Sequence, residues 1–293
     1  MEENVADDNI QVTFDSTDRE SWLREIDYAY CQFSKSKKMR VSLDFSTTVL
    51  RDSLEPFHLV TIACLIQHFY QLGKMVSILT SNKEVCDFIY EELKYYQYWS
   101  GGKNHVEAKT SQNVLNLWRI VENEKDLYAH RVEDYLRNTY FKNKDLSAIF
   151  VCLVEAYYNV FDHAKAEGNA FSFIQYDQQT GLLHVAVSDF GIGIAKAVRD
   201  FDSTIVTDKD AIFKALQNNF TTRSTKRNRG FGLDNILSPT EEARIFSHHG
   251  LVYKKGGVFY GYETDFSYPG TLIYFEIDLS NMEEEQLIEE FSF

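Results

Sequence analysis

The stretch SDFGIGIAKAV, residues 188–198, closes a strand-like apolar run on an aspartate, passes two glycines and enters a helical pattern. That order places Asp189 at a strand end, where its carboxylate can accept a hydrogen bond from an exocyclic amine. Gly191 and Gly193 flank one apolar residue and, lacking Cβ atoms, let the backbone approach a flat ligand closely. Taken alone, D-x-G-x-G also reads as an ordinary turn, so the surrounding segments have to decide.

Upstream, LVEAYYNVFDHA (153–164) puts Glu155, Asn159 and His163 at intervals of four. Each four-residue step in a helix rotates only about 40°, so the three polar groups form one stripe, flanked by Val154, Tyr158 and Phe161. Buried polar groups without partners cost about 1–3 kcal/mol each. The stripe therefore faces either solvent or a ligand. It belongs to the second of two long helices, EKDLYAHRVEDYLRNTYF and DLSAIFVCLVEAYYNVFDHAKAEG, the latter stopping at Gly168. AFSFIQYD and LLHVAVSD then read as an antiparallel hairpin around the turn QQTG.

Downstream, NNFTTRSTKRNRGFGLDNI (218–236) sets Arg223, Lys226, Arg227 and Arg229 directly before Gly230-Phe-Gly232. A basic, glycine-terminated loop that opens a helix suits a polyphosphate, because backbone N–H groups, the helix N-terminus and the cations all favour anions. The plain alternative is a solvated loop, although its sign opposes that of the whole chain. LVYKKGGVFYGYE and PGTLIYFEIDL supply at least two more strands, with Gly270-Thr271 leading the last.

E-x3-N-x3-HA, D-x-G-x-G, T-T-R followed by G-x-G-L, and GT before a strand, in that order, resemble the GHKL ATPases. That family holds gyrase-type topoisomerases, the large heat-shock chaperone, sensor histidine kinases and mismatch-repair MutL. The chain is most similar to the ATPase domains of sensor kinases and anti-sigma serine kinases; FTTR and GFGL echo the FTTK and GxGLGL of sensor kinases. The resemblance covers residues 145–280. It implies a Bergerat-type α/β sandwich with a mixed sheet, holding ATP and Mg²⁺ between the sheet, the helix over 145–165 and a mobile lid. It makes Asn159 the Mg²⁺ ligand and Asp189 the adenine contact, with Gly191 and Gly193 close by and Thr271 assisting. Thr222, Arg223, Gly230 and Gly232 would contact the phosphates, and Glu155 would be the base activating water or a hydroxyl acceptor. His163 is read as structural. The sequence departs from sensor kinases where Pro239 shortens the helix after G-x-G, and again across 239–262.

The first half follows a different grammar. MRVSLDFS reads as a strand, SLEPFHLVTIACLIQHFYQLGK as a helix closed by Gly73, MVSILTS as a second strand, and NKEVCDFIYEEL as a helix capped by Asn82. A strand–helix–strand of this length implies a right-handed crossover and a parallel pair. KYYQYWSGGK ends at a Gly-Gly break, and VLNLWRIVEN adds one more strand. The order of elements resembles a small STAS-type domain. STAS proteins switched by phosphorylation carry a serine in a strand-end loop; here that loop is TTVLRDSLEP, and Ser53 is not carried over as a phosphosite. The expected organisation is an N-terminal segment (1–38), a STAS-like α/β domain (39–122), a GHKL-type ATP-binding domain (123–280) and an acidic tail (281–293).

The 293 residues suffice for two domains, and 44% hydrophobic content supports sizeable cores. A net charge of −14 argues against nonspecific nucleic-acid binding. The four cysteines form no CxxC pair and no disulfide framework. MEENVADDNI lacks the features of a signal peptide, and polar residues break PFHLVTIACLIQHFY too early for a bilayer span. The expectation is a cytoplasmic, membrane-free protein with a protein partner, a homodimer being left open. Its first functional reading is a slow Mg·ATPase that works as a nucleotide-dependent conformational switch. The second is a serine/threonine kinase of the anti-sigma type. The third is a histidine kinase-like ATPase without its own phosphoacceptor domain, since His130 lacks the flanking pattern of a phosphoacceptor.

Overall fold

The computed structural model describes residues 8–98, 118–121, 123–160, 165, 166, 168–217, 232–280 and 282–284. It is a mixed α/β chain with one three-stranded parallel sheet and one five-stranded antiparallel sheet.

The parallel sheet has the order β1-β2-β3, from Asn9–Phe14, Arg40–Phe45 and Met75–Thr80. Its registers run from Asn9↔Arg40 to Phe14↔Phe45 and from Arg40↔Met75 to Phe45↔Thr80. The crossovers are α1 (Arg19–Phe33) and α2 (Pro56–Gln71), and α3 (Lys83–Asp87) follows β3. The expected parallel pair of β2 and β3 is present, and Asn82 caps α3 by accepting from the Glu84 amide at 3.0 Å. Strand β1 and helix α1 come from the segment read as a separate N-terminus. Asp18 starts α1 by accepting from the Ser21 amide at 2.9 Å. One face of the sheet is polar, with Gln11 Nε2 donating to Asp44 Oδ2 at 2.8 Å; α1 and α2 cover the other.

The antiparallel sheet has the order β4-β5-β6-β8-β7, from Trp118–Arg119, Ala170–Asp177, Leu182–Asp189, Val258–Asp278 and Glu242–Lys255. Every pairing among these described strands is antiparallel, which corrects the expected mixed sheet. Helices α6 (Ile194–Phe201), α7 (Asp208–Ala215) and α8 (Gly232–Leu237) separate β6 from β7. They set the two strands in the same direction but one slot apart, and β8 fills the slot in the opposite direction. The strand read in VLNLWRIVEN joins this sheet, pairing Trp118↔Ser172 and Arg119↔Phe171. Helices α4 (Lys125–Thr139) and α5 (Ser147–Asn159) complete the layer over one face, in one core with Ile174, Val185, Val187 and Phe275. Of the acidic tail, Glu284 bridges to Lys144.

The opposite face of the antiparallel sheet is covered by α1 and α2. Phe171, Phe173, Phe246, Tyr268, Leu272 and Tyr274 share one core with β1, β2 and both helices. Helix α2 therefore has a sheet on each side, and 13 of its 16 residues are buried, so it carries no polar stripe. Its start is fixed by Pro56 in the first turn and a capping box between Glu55 and His58. At the seam, Arg19 pairs with Glu55 at 2.7 Å and lies 4.4 Å from the Tyr274 ring centroid. Asp27 accepts from the Ser267 amide at 2.9 Å. No helix among the described residues is long and apolar enough to cross a membrane.

Phe57 sits in that seam, fully buried, with ring centroids of Phe246 and Tyr274 both at 6.1 Å. Phe57→Ala is expected to cost about 3–5 kcal/mol. In guanidinium, far-UV circular dichroism and tryptophan fluorescence should fall together in one transition at a lower midpoint. Two separate transitions would show that the halves fold independently.

Candidate functional site

Asp189 is the last residue of β6 and is paired with Thr271 of β8. The strands meet so closely there that a Cβ on Gly270, at φ +115°, would overlap the Asp189 carbonyl. Past Asp189 the chain turns at Gly193 (φ +77°), where a Cβ would lie 2.6 Å from Ser247 Oγ and 2.7 Å from the Gly270 oxygen. Helix α6 starts here without a side-chain cap of its own. Strands β7 and β8 supply its caps. Thr271 Oγ1 accepts from the Ile194 amide at 3.1 Å, and Ser247 Oγ accepts from the Ala195 amide at 3.2 Å. Ser247 in turn donates to the Gly270 oxygen at 2.9 Å. Next to it, His248 (φ +52°) sits in a β-bulge, with Nε2 2.9 Å from the Ile192 oxygen.

Helix α5 forms the facing wall. Tyr157 anchors it to the sheet through Ser172 Oγ at 2.9 Å, and Cys152 Sγ contacts the Ile236 oxygen of α8 at 3.7 Å. Asn159 is its last residue. Between these elements lies a narrow recess with about 260 Å³ of atom-free space, its open mouth included. Asn159, Asp189 and Thr271 are its polar lining; Ala156, Val160, Val187, Ile194 and Ile273 are its apolar walls.

The electrostatics single out two groups. Asp189 is 3% exposed, and burial pushes its pKa up to about 7, against the pull of the Gly191 and Thr271 amides. The Gly191 amide donates to Asp189 Oδ1 at 2.8 Å. An ionised carboxylate offers about four lone-pair sites, so acceptor capacity remains for a ligand's N–H. Asn159 Nδ2 is buried with no hydrogen-bond partner among the described residues. Rotating the amide by 180° would present its oxygen at the same place, the donor type that Mg²⁺ accepts. Among the described residues no three His, Cys, Asp or Glu side chains gather as a metal cage. Apolar walls with a few convergent polar groups suit a flat heteroaromatic ring bearing an amine. The enclosed free space is only about 10 Å³, room for about one water molecule, so a ring enters only if the walls move apart.

The structure thus brings Asn159, Asp189 and Thr271 to one recess, with Gly191 and Gly193 shaping its turn. Glu155, half-buried one turn earlier on α5, is not among the lining residues. Gly232 is the first residue of α8, which packs on α5. Thr222, Arg223, Gly230, the other basic residues of that loop and His163 lie outside the described residues. His130 is exposed on α4, its ring 4.4 Å from that of Phe150. Ser247 and His248 were not singled out in the sequence, and nothing local marks them, because their roles arise from the bulged register between distant strands. Comparison with models of known protein families finds no match to this chain, and comparison with curated proteins finds none either.

Burying Asp189 has a pH signature. Its folded pKa of about 7 lies above the ordinary aspartate value of 3.8. The contribution to stability is therefore complete below about pH 4 and is lost as pH rises through 7. That interval corresponds to at most about 4 kcal/mol. Asp189→Asn keeps an acceptor for the Gly191 amide but cannot ionise. The stability of the variant relative to wild type should rise between pH 4 and pH 8 by up to about 4 kcal/mol. Parallel denaturation curves at both pH values measure it, and a constant difference would mean that Asp189 is not held in a desolvated state.

Proposed function

We propose that the chain is a Mg·ATP-binding protein of the GHKL type, a slow ATPase that uses nucleotide-dependent conformational change to signal to a protein partner. The observation that carries this reading is the recess in which a buried carboxylate, an unpartnered amide and a hydroxyl converge on apolar walls. Helices on one face of the antiparallel sheet, with the recess between sheet and α5, support a Bergerat-type sandwich as its architecture. The β1-α1-β2-α2-β3-α3 order supports a STAS-like reading of the other half.

Each residue has a chemical task in this reading. Asp189 accepts from the exocyclic amine of adenine, and its neighbours Gly191 and Gly193 keep the backbone out of the plane of the base. Thr271, whose oxygen already accepts from Ile194, keeps its hydroxyl proton to donate to a ring nitrogen. Asn159 would hold Mg²⁺, which when bound neutralises phosphate charge. Glu155, one turn along the same helix, orients and deprotonates the attacking water. The basic run from Arg223 to Arg229 supplies cations for the phosphates.

Calorimetry on the full chain should detect Mg·ATP binding that weakens about 5- to 100-fold in Asp189→Ala, the loss of one buried hydrogen bond to a base. Asn159→Ala should remove the Mg²⁺ dependence of that affinity. Binding should also strengthen as pH rises through about 7, because the bound form needs Asp189 ionised. Unchanged affinity in Asp189→Ala would remove the adenine assignment.

Turnover provides a separate test. Glu155→Ala should keep ATP affinity but slow phosphate release under single-turnover conditions by about 10²–10⁴-fold, the usual worth of a positioned general base. Wild-type rates in that variant would exclude the role. Labelled phosphate transferred to a second protein rather than released would favour the anti-sigma-type kinase.

A further inference from the structure

Asp189 and Phe190 are adjacent, and adjacent residues of an extended chain face opposite sides of a sheet. Asp189 lines the recess beside α5. Phe190 points to the side covered by α1 and α2, where three rings surround it. Its centroid lies 5.5 Å from Tyr30 on α1, 6.2 Å from His68 on α2 and 5.7 Å from Tyr268 on β8. Tyr30 and His68 are themselves 4.4 Å apart, and His68 Nε2 lies 2.8 Å from Ser34 Oγ at the end of α1.

One turn before His68, Cys64 grips the same segment through the backbone. Its Sγ donates to the Ser188 oxygen at 3.4 Å, and its carbonyl accepts from Asn169 Nδ2 at 3.1 Å. The Phe190 amide donates to the Asn169 oxygen at 3.0 Å, closing the ring of contacts. Among the described residues, Asn169 Oδ1 is buried at this joint without a donor. A buried acceptor left unpaired favours any displacement that brings a donor to it.

We propose that residues 188–190 couple occupancy of the recess to the packing of α1 and α2, so that the parallel-sheet half reports the state of the site. A ligand that pulls on Asp189 moves the next residue in its cage, and a change in the cage moves Asp189. The coupling is reciprocal by thermodynamic necessity. Its nucleotide arm rests on the proposed ATP reading; its mechanical arm does not.

Hydrogen exchange read by mass spectrometry on the full chain tests both arms. The amides of Gly191, Ile194 and Ala195 are bonded to Asp189, Thr271 and Ser247, so their exchange reports on the turn. Without any ligand, Tyr30→Ala and His68→Leu should each speed exchange there about tenfold, while the amides of Leu183 and Val185 keep their rates. Tyr30→Phe, which retains the ring, should exchange like wild type. Wild-type rates at the turn in both cage variants would overturn the coupling, as would a uniform acceleration along the chain in both. With Mg·ATP added to wild type, exchange should slow in α1 and α2 as well as over residues 184–195, and Tyr30→Ala should lose only the first effect. Protection confined to the recess would overturn the coupling and leave the nucleotide site standing. No protection anywhere would remove the ATP reading, and the ligand-free comparison alone would then decide the coupling.

Discussion

Helix α2 has no solvent face. The parallel sheet occupies one side and the antiparallel sheet the other, and the helix fills the gap with 13 buried residues out of 16. Such a helix can be placed in only one way. Rotating it would carry Phe57, Cys64 and His68 off Tyr274, Ser188 and Tyr30 and break both cores. The position of β6 against α2 therefore sets where Asp189 stands, and with it the mouth of the recess. The seam is polar only at its edges, where Arg19 meets Glu55 and Tyr274.

Within that frame the site is built at the fold's expense. A carboxylate is held 3% exposed, with backbone amides for compensation. Asn159 keeps a buried amide nitrogen unpaired among the described residues. A folded protein selected for stability alone would bury neither. Both groups lie on the same recess, and the strand contact at Gly270 and the turn at Gly193 fix the backbone around Asp189. The hydroxyls of Thr271 and Ser247 cap α6 from neighbouring strands, which ties the turn to β7 and β8 rather than to its own helix.

Local patterns in the sequence carried much of this. Strands β5 and β6, their turn and the start of α6 were legible because alternation and glycine placement act over a few residues. The crossover of β2, α2 and β3 was legible for the same reason. What failed was long-range. The segment NIQVTF alternates like a strand, yet nothing local ties it to β2, thirty residues on. VLNLWRIVEN read as a strand, but its sheet is chosen by a partner about fifty residues later in the chain. The mixed sheet followed from resemblance, whereas the observed order depends on β8 entering between β6 and β7. At the site, Asn159 and Asp189 were singled out by residue type and spacing and Thr271 by the family resemblance, and the three line one recess. Ser247 and His248 were not, because a bulge in one strand and its register with another give them their roles.

The two-sided burial of α2 also bears on synthesis of the chain. Its second partner, the antiparallel sheet, is complete only when β8 has been made, about 200 residues after α2 ends. At roughly 5–20 residues per second, that leaves the helix with one bare apolar side for about 10–40 s on the ribosome. Phe57, Ala63 and Cys64 are among the buried residues exposed in that interval. The nascent protein thus emerges with an apolar helix surface whose cover from β5, β6 and β8 arrives only later in synthesis.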